Sequence, residues 1–203
     1  FRKKGKEVLE KLEKEKRVGF VVLARPYHND DGINHEILLK IQRLGYPILS
    51  QDSLPNDKDT LEKVFEDDIK NKRIDNPLEI KDVWTTSFSE NTSRKIWAAK
   101  FIARHPNLVA LELSNFKCGH DAPPYTVIEN ILSNSKTLFF TFRDLDENTP
   151  GGAIKIRLET INYFLKLEEE KLRGIGSAGA LKMNEKLEDH LKPEKKLCAI
   201  PKK

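Results

Sequence analysis

Four short apolar runs, Val18–Ala24, Tyr46–Leu49, Leu108–Leu113 and Thr137–Phe142, are spaced along the chain with helical patterns between them. That alternation constrains the fold more than any other feature. An unbroken apolar run of strand length suits a strand covered on both faces, as in a parallel sheet sandwiched between helices. Consecutive parallel strands then need right-handed crossovers.

The segments between the runs fit this scheme. Residues 2–16 place Val8, Leu9 and Leu12 in a Lys/Glu background and predict a leading amphipathic helix. Arg25-Pro26 stops the first run, because proline cannot extend a strand ladder. Ile33, Ile37, Leu38, Ile41 and Leu44 then mark one helical face, and Gly45 supplies a left-handed C-terminal residue. Residues 55–90 are acidic and too long for a plain crossover, so they read as an insertion or lid with one helix near Thr60–Ile69. Asn91 or Thr92 is placed to cap a helix running to Arg104, with Ile96, Trp97 and Phe101 inward, before His105-Pro106 breaks it. Asp121 is placed to cap a helix entered at Pro123, with Tyr125, Ile128, Ile131 and Leu132 inward. Thr149-Pro150 opens a last helix through Ile154, Leu158, Ile161 and Leu165.

The expected architecture is a three-layer α/β domain, Rossmann-like or flavodoxin-like, with a mainly parallel sheet in strand order 2-1-3-4 and terminal helices. Its divisions are the helix at 1–16, the α/β domain at 17–171 with 55–90 inserted, and a flexible tail or linker to a missing domain at 172–203. The chain starts at Phe1 without methionine and reads as a piece of something longer.

Charge narrows the function classes. The 203 residues hold 36 Lys/Arg and 32 Asp/Glu, a formal net charge of +4. Residues 1–17 carry 8 Lys/Arg against 4 acids and residues 168–203 carry 9 against 7, leaving 19 against 21 between them. The basic excess therefore lies in the end segments, not in a stripe on the folded face, which argues against nucleic-acid binding. No apolar stretch reaches bilayer-spanning length and the basic start is not followed by a signal-peptide core, so no membrane is expected and the location is read as cytoplasmic. Cys118 and Cys198 form neither a disulfide framework nor a zinc spacing.

In a sheet of order 2-1-3-4 the switch point falls between the first and third strands. The loops Tyr27-His28-Asn29-Asp30 and Cys118-Gly119-His120-Asp121 should then line one crevice. Cys118 just ahead of a helix amino terminus is placed where the helix dipole favours a thiolate; the plain alternative is an inert buried cysteine. His120 is a candidate second metal ligand or base, and Asp121 either orients it or simply caps the helix. His28 faces them from the other loop. Arg25 and Tyr27 suit an anionic ligand or a neighbouring domain, or ordinary packing. Asp30-Asp31-Gly32 reads first as turn chemistry, with Asp30 also a possible metal ligand. Asp144, Asp146 and Glu147 read as solvated carboxylates before a Mg²⁺ site. Pro150-Gly151-Gly152 lacks the lysine of a phosphate loop, and neither GxGxxG nor GxSxG occurs.

Ala24-Arg25-Pro26-Tyr27-His28-Asn29-Asp30-Asp31-Gly32-Ile33-Asn34-His35, Leu44-Gly45-Tyr46-Pro47-Ile48-Leu49 and Asn115-Phe116-Lys117-Cys118-Gly119-His120-Asp121-Ala122-Pro123 together resemble a known family. They look like the domain found in 2-hydroxyacyl-CoA dehydratase activators, also called CoA-substrate-specific enzyme activases. The likeness runs over about residues 17–167. Such proteins join an actin-like ATPase portion, which reduces a partner with ATP and an iron-sulfur cluster, to regions similar to cluster-bearing dehydratase subunits. The resemblance implies the latter role here, with Cys118 as a candidate ligand of a four-iron four-sulfur cluster in the full-length protein. Arg25, Tyr27, His28, Asn29, Asp30, Gly119 and Asp121 would bind ligand or support the cluster. Because such a cluster takes four thiolates, the isolated segment is expected to bind none. The implied partners are other domains of the parent chain and an acyl-CoA dehydratase component. The alternatives are a non-catalytic domain that binds a CoA-type ligand or another domain, and a cysteine nucleophile with His120 or His28 as base.

Overall fold

Val18 to Ala24 are all buried, and the middle five residues, Gly19–Leu23, form strand β1. The computed structural model describes residues 1–87, 89–115, 119, 122–145 and 151–174. β1 hydrogen-bonds to β2 (Ile48–Ser50) on one side and to β3 (Leu108–Leu113) on the other, and β4 (Phe139–Phe142) extends the sheet from β3. All pairs are parallel and the order is β2-β1-β3-β4, with Val21 opposite Leu49 and Ala110.

Strand side chains alternate between faces, so the sheet has two cores. Val21, Leu23, Leu108 and Ala110 join one core with Leu9 and Leu12 of α1 (Arg2–Glu15). Phe20, Val22, Val109 and Leu111 join the other with Ile37 and Ile41 of α2 (Ile37–Arg43). The first core also takes Leu61 of α3 (Lys58–Val64), and Phe65, which separates it from α4 (Glu66–Lys70). Ile96, Ala99 and Phe101 of α5 (Glu90–Ile102) and Ile128 and Leu132 of α6 (Ala122–Asn134) complete it. The second core is closed by Ile154, Leu158, Ile161 and Leu165 of α7 (Gly151–Leu172), the four positions whose spacing predicts that face.

Several local expectations change. The helix after β1 is shorter than its apolar spacing suggests: Ile33 and Leu44 are exposed, and His35 and Glu36 sit at φ 54° and 58°. The cause is Asp30, whose Oδ1 accepts the N–H groups of Gly32 at 2.9 Å and Ile33 at 3.2 Å and holds the chain in a turn. The single helix expected near Thr60–Ile69 is two, broken at Phe65, whose ring fills the core. Ser89, not Asn91 or Thr92, caps α5 by accepting the Thr92 N–H. Residues 74–84 pack back onto α5: Trp97 Nε1 donates to the Pro77 carbonyl at 2.9 Å, and Lys100 Nζ to the Glu79 carbonyl at 2.7 Å.

α1 is bound into the domain. Asn107 Nδ2, just ahead of β3, donates to the carbonyls of Leu12 at 3.3 Å and Arg17 at 2.8 Å. At the other end of α1 a Cβ on Gly5 would lie 1.9 Å from the Ser53 carbonyl oxygen, so glycine is required for the helix to meet the 3₁₀ turn Gln51–Ser53. Among the described residues no helix is long and apolar enough to cross a membrane.

Candidate functional site

β1 and β3 run side by side to Leu23 opposite Glu112, and beyond that point the chain departs in opposite directions. β1 leads to α2 over one face and β3 to α6 over the other. The divergence opens the sheet rim between them, as expected at a topological switch point.

One wall is Arg25–Asp30. Pro26 sets the first turn of a 3₁₀ segment, Pro26–Asn29. This turn buries His28 to 1% exposure and leaves Tyr27 at 46%, with their ring centroids 4.4 Å apart. Asn34 Nδ2 donates to the His28 carbonyl at 2.9 Å. His28 is therefore a packed residue, not the solvated loop histidine that its position suggests. Arg25 is half-buried, and Asn29 and Asp30 are exposed. Asn91 Nδ2 reaches the Ala24 carbonyl at 3.5 Å and ties the start of α5 to this wall.

The other wall begins at Ser114 and Asn115. Tyr125 of α6 donates its hydroxyl proton to Ser114 Oγ at 2.6 Å, and Asn115 forms a bridge with Asp144 after β4. Below the rim Glu112 is wholly buried, and Arg143 Nε donates to its Oε2 at 2.7 Å. The Arg143 guanidinium also pairs with Glu129 at 2.6 Å and lies 3.9 Å from the centre of the Tyr125 ring. Burial acts to lower the Arg143 pKa, but Glu112 and Glu129 outweigh it and hold it above its ordinary value. Lys95 of α5 is also wholly buried. The buried Glu112–Arg143 pair lies beneath the rim, outside the loops that the sequence singles out. Its signal in the sequence is Glu112 inside an otherwise apolar strand.

Gly119 is exposed, and a Cβ there would meet nothing within 4 Å. Cys118, His120 and Asp121 lie outside the described residues, as do Asp146, Glu147, Pro150 and Cys198. Asp144 is exposed and pairs with Arg157 at 3.2 Å, as a solvated carboxylate would. Among the described residues no three His, Cys, Asp or Glu side chains gather to hold a metal ion. The whole chain has two cysteines, short of the four thiolates of a four-iron cluster, so it does not supply a complete donor set by itself.

Two of the several clefts among the described residues differ in their relation to the rim. One of about 620 Å³ lies on the helical face among α4, α5 and α6, away from the rim. Most of its charged groups are already paired: Asp68 with Arg104 and Arg73, and Lys100 with Asp82 at 2.7 Å. The other, about 540 Å³, lies at the β1–β2 end of the rim and shares Pro26 and Asn29 with the first wall.

Residues 1–54 match the family model of the CoA enzyme activase uncharacterised domain. The matched stretch runs from α1 through β2 and includes the Arg25–Asp30 wall, whereas the Cys118 loop lies beyond it. No curated protein and no solved structure matches the chain.

Proposed function

We propose that this chain is an α/β module of a cytoplasmic redox protein related to the 2-hydroxyacyl-CoA dehydratase activators. Its β1–β3 rim meets another domain of the parent protein or an acyl-CoA dehydratase component. The observation that carries this reading is the parallel pairing of β1 with β3, which brings the Arg25–Asp30 loop beside the strand end that leads into the Cys118 loop. The family match over residues 1–54 supports the likeness independently.

In this reading Cys118 contributes one thiolate to an iron-sulfur cluster whose remaining ligands come from outside this segment. His28, His120 and Asp121 orient and tune that thiolate by hydrogen bonding. Arg25, Tyr27, Asn29, Asp30 and Gly119 form the surface that the neighbouring domain covers. The segment has no catalytic role by itself.

The test is anaerobic reconstitution of the parent protein with iron and sulfide, in wild type and Cys118→Ser. Iron and sulfide per chain fall in the variant if Cys118 is a ligand. Unchanged iron content together with an unchanged visible spectrum ends the ligand assignment.

A further inference from the structure

We propose that the run Leu197-Cys198-Ala199-Ile200 of this chain pairs with the open edge of β2 as a fifth parallel strand, seated in the cleft between α1 and α2. The two edges of the sheet differ. At the β4 edge the Leu138 and Phe142 carbonyls accept from Ala110 and Ser114, so the alternation of backbone groups turns Thr141 outward. Arg157 of α7 donates to that outward carbonyl and covers it. At the β2 edge the Pro47 carbonyl accepts the Phe20 N–H at 2.9 Å, which turns Leu49 toward β1 and Ile48 and Ser50 outward. Ser53 Oγ meets the Ser50 carbonyl at 2.8 Å. The N–H and carbonyl of Ile48 and the N–H of Ser50 have no hydrogen-bond partner among the described residues.

Apolar side chains flank these groups on both sides. The cleft of about 540 Å³ reaches Val8, which packs against the first core, and Leu38, which packs against the second. A cleft that touches both faces passes round the side of the sheet, and Ile48, Leu49 and Ser50 line it. Such an edge is a template for another strand, whose main chain makes the hydrogen bonds while alternate side chains enter the pockets on either face.

The occupant follows from the rest of the chain. Residues 197–200 are four consecutive apolar residues ended by Pro201, as suits a short strand covered on both faces. α7 finishes where the strands begin, since Glu169 Oε1 accepts the Val18 N–H at 3.2 Å, and a strand parallel to β2 must enter from that end. The roughly twenty residues between Gly174 and Lys196 reach about 3.3 Å each, far more than the few strand spacings of about 4.8 Å to be crossed. Handedness selects the same edge. α7 lies over the face that carries α2, so a chain passing from β4 through α7 to the outside of β2 turns as β1–α2–β2 does, in the right-handed sense. Entry beside β4 would need the opposite hand. The parallel orientation also brings Lys202 and Lys203 to the end of the cleft lined by Asp31 and Asp52. None of this involves the Cys118 loop, so the inference stands apart from the redox reading.

The test uses the 203-residue chain and reads amide hydrogen exchange by NMR. The Ile48 N–H should exchange at least about tenfold slower in wild type than in Cys198→Pro or Ala199→Pro, one of which must remove the N–H that faces β2. The Leu49 N–H, which faces β1, should not change. A second measurement follows alkylation of Cys198 in a Cys118→Ser chain. It should be at least about tenfold slower than in the same chain carrying Ala199→Pro, and independent of protein concentration. Leu39→Glu, which places a charge on the α2 wall of the cleft, should restore fast alkylation, whereas Ile69→Glu on α4 should not. Equal Ile48 exchange in wild type and both proline variants overturns the proposal. So does slow alkylation that survives Leu39→Glu, which would seat the segment elsewhere. Protection of Cys198 that rises with protein concentration assigns the strand to a second copy and overturns pairing within one chain.

Discussion

Glu112 is a carboxylate in the middle of an apolar strand, and Arg143 closes on it from the start of the loop after β4. Breaking a buried pair from one side leaves a charge short of its partner, which is worse than never having the pair. With Arg143 one-quarter exposed, Arg143→Met should cost about 2–3 kcal/mol, discounted from the fully buried case. Urea denaturation measures this. His105 is a second buried ionisable group, stacked on Phe101 and facing Glu13 of α1 at 3.2 Å and Lys63 of α3. Burial lowers its pKa below the ordinary value, Glu13 opposes that shift, and Lys63 adds to it. The unfolded chain therefore binds the proton first as pH falls. Stability is full above the unfolded value of about 6.5 and declines below it toward the folded value. The melting temperature should drop between pH 7 and pH 5 in wild type, and His105→Gln should flatten that slope. Loop chemistry was readable at this scale where it is local, as with Asp30. The burial of His28 was not, because it depends on Asn34 and a 3₁₀ turn whose compactness the run Pro26-Tyr27-His28-Asn29 does not announce.

At the scale of elements, α1 shows what a sequence conceals. Gly5 reads as a weak point in a helix, and alanine is the better helix former by about 1 kcal/mol. The structure reverses the sign, since the added methyl would strike a backbone carbonyl 1.9 Å away that no side-chain rotation can move. Gly5→Ala should destabilise the protein by about 1–3 kcal/mol, in the range of overpacked sites. α7 is the opposite case, where spacing alone identified the inward face. Leu165→Ala, at a wholly buried position, should cost about 3 kcal/mol. Ile156→Ala on the same helix, at 67% exposure, should stay within about 0.5 kcal/mol. Chemical denaturation of the pair checks both. α2 was over-read because its apolar spacing continues through Ile33 and Leu44, where the backbone has already turned.

For the whole molecule, strand identity and sheet order were legible because unbroken apolar runs and right-handed crossovers leave few arrangements. β1 and β3 matched their runs almost residue for residue, while β2 and β4 lost their first residues to the preceding turns. The buried Glu112–Arg143 pair was not legible, because it joins residues far apart in sequence whose types are ordinarily exposed. The central claim is that the Arg25–Asp30 and Cys118 loops share one rim. Intramolecular thiol crosslinking tests it most directly, using Asn29→Cys in a Cys198→Ser background with native Cys118. Asn134→Cys at the far end of α6, about 20 Å along the helix from its start, is the control. A short bifunctional maleimide should join the thiol introduced at position 29 to Cys118 within one chain and leave the Asn134→Cys protein unlinked. No crosslink from position 29, or one that forms as readily from position 134, would contradict the account.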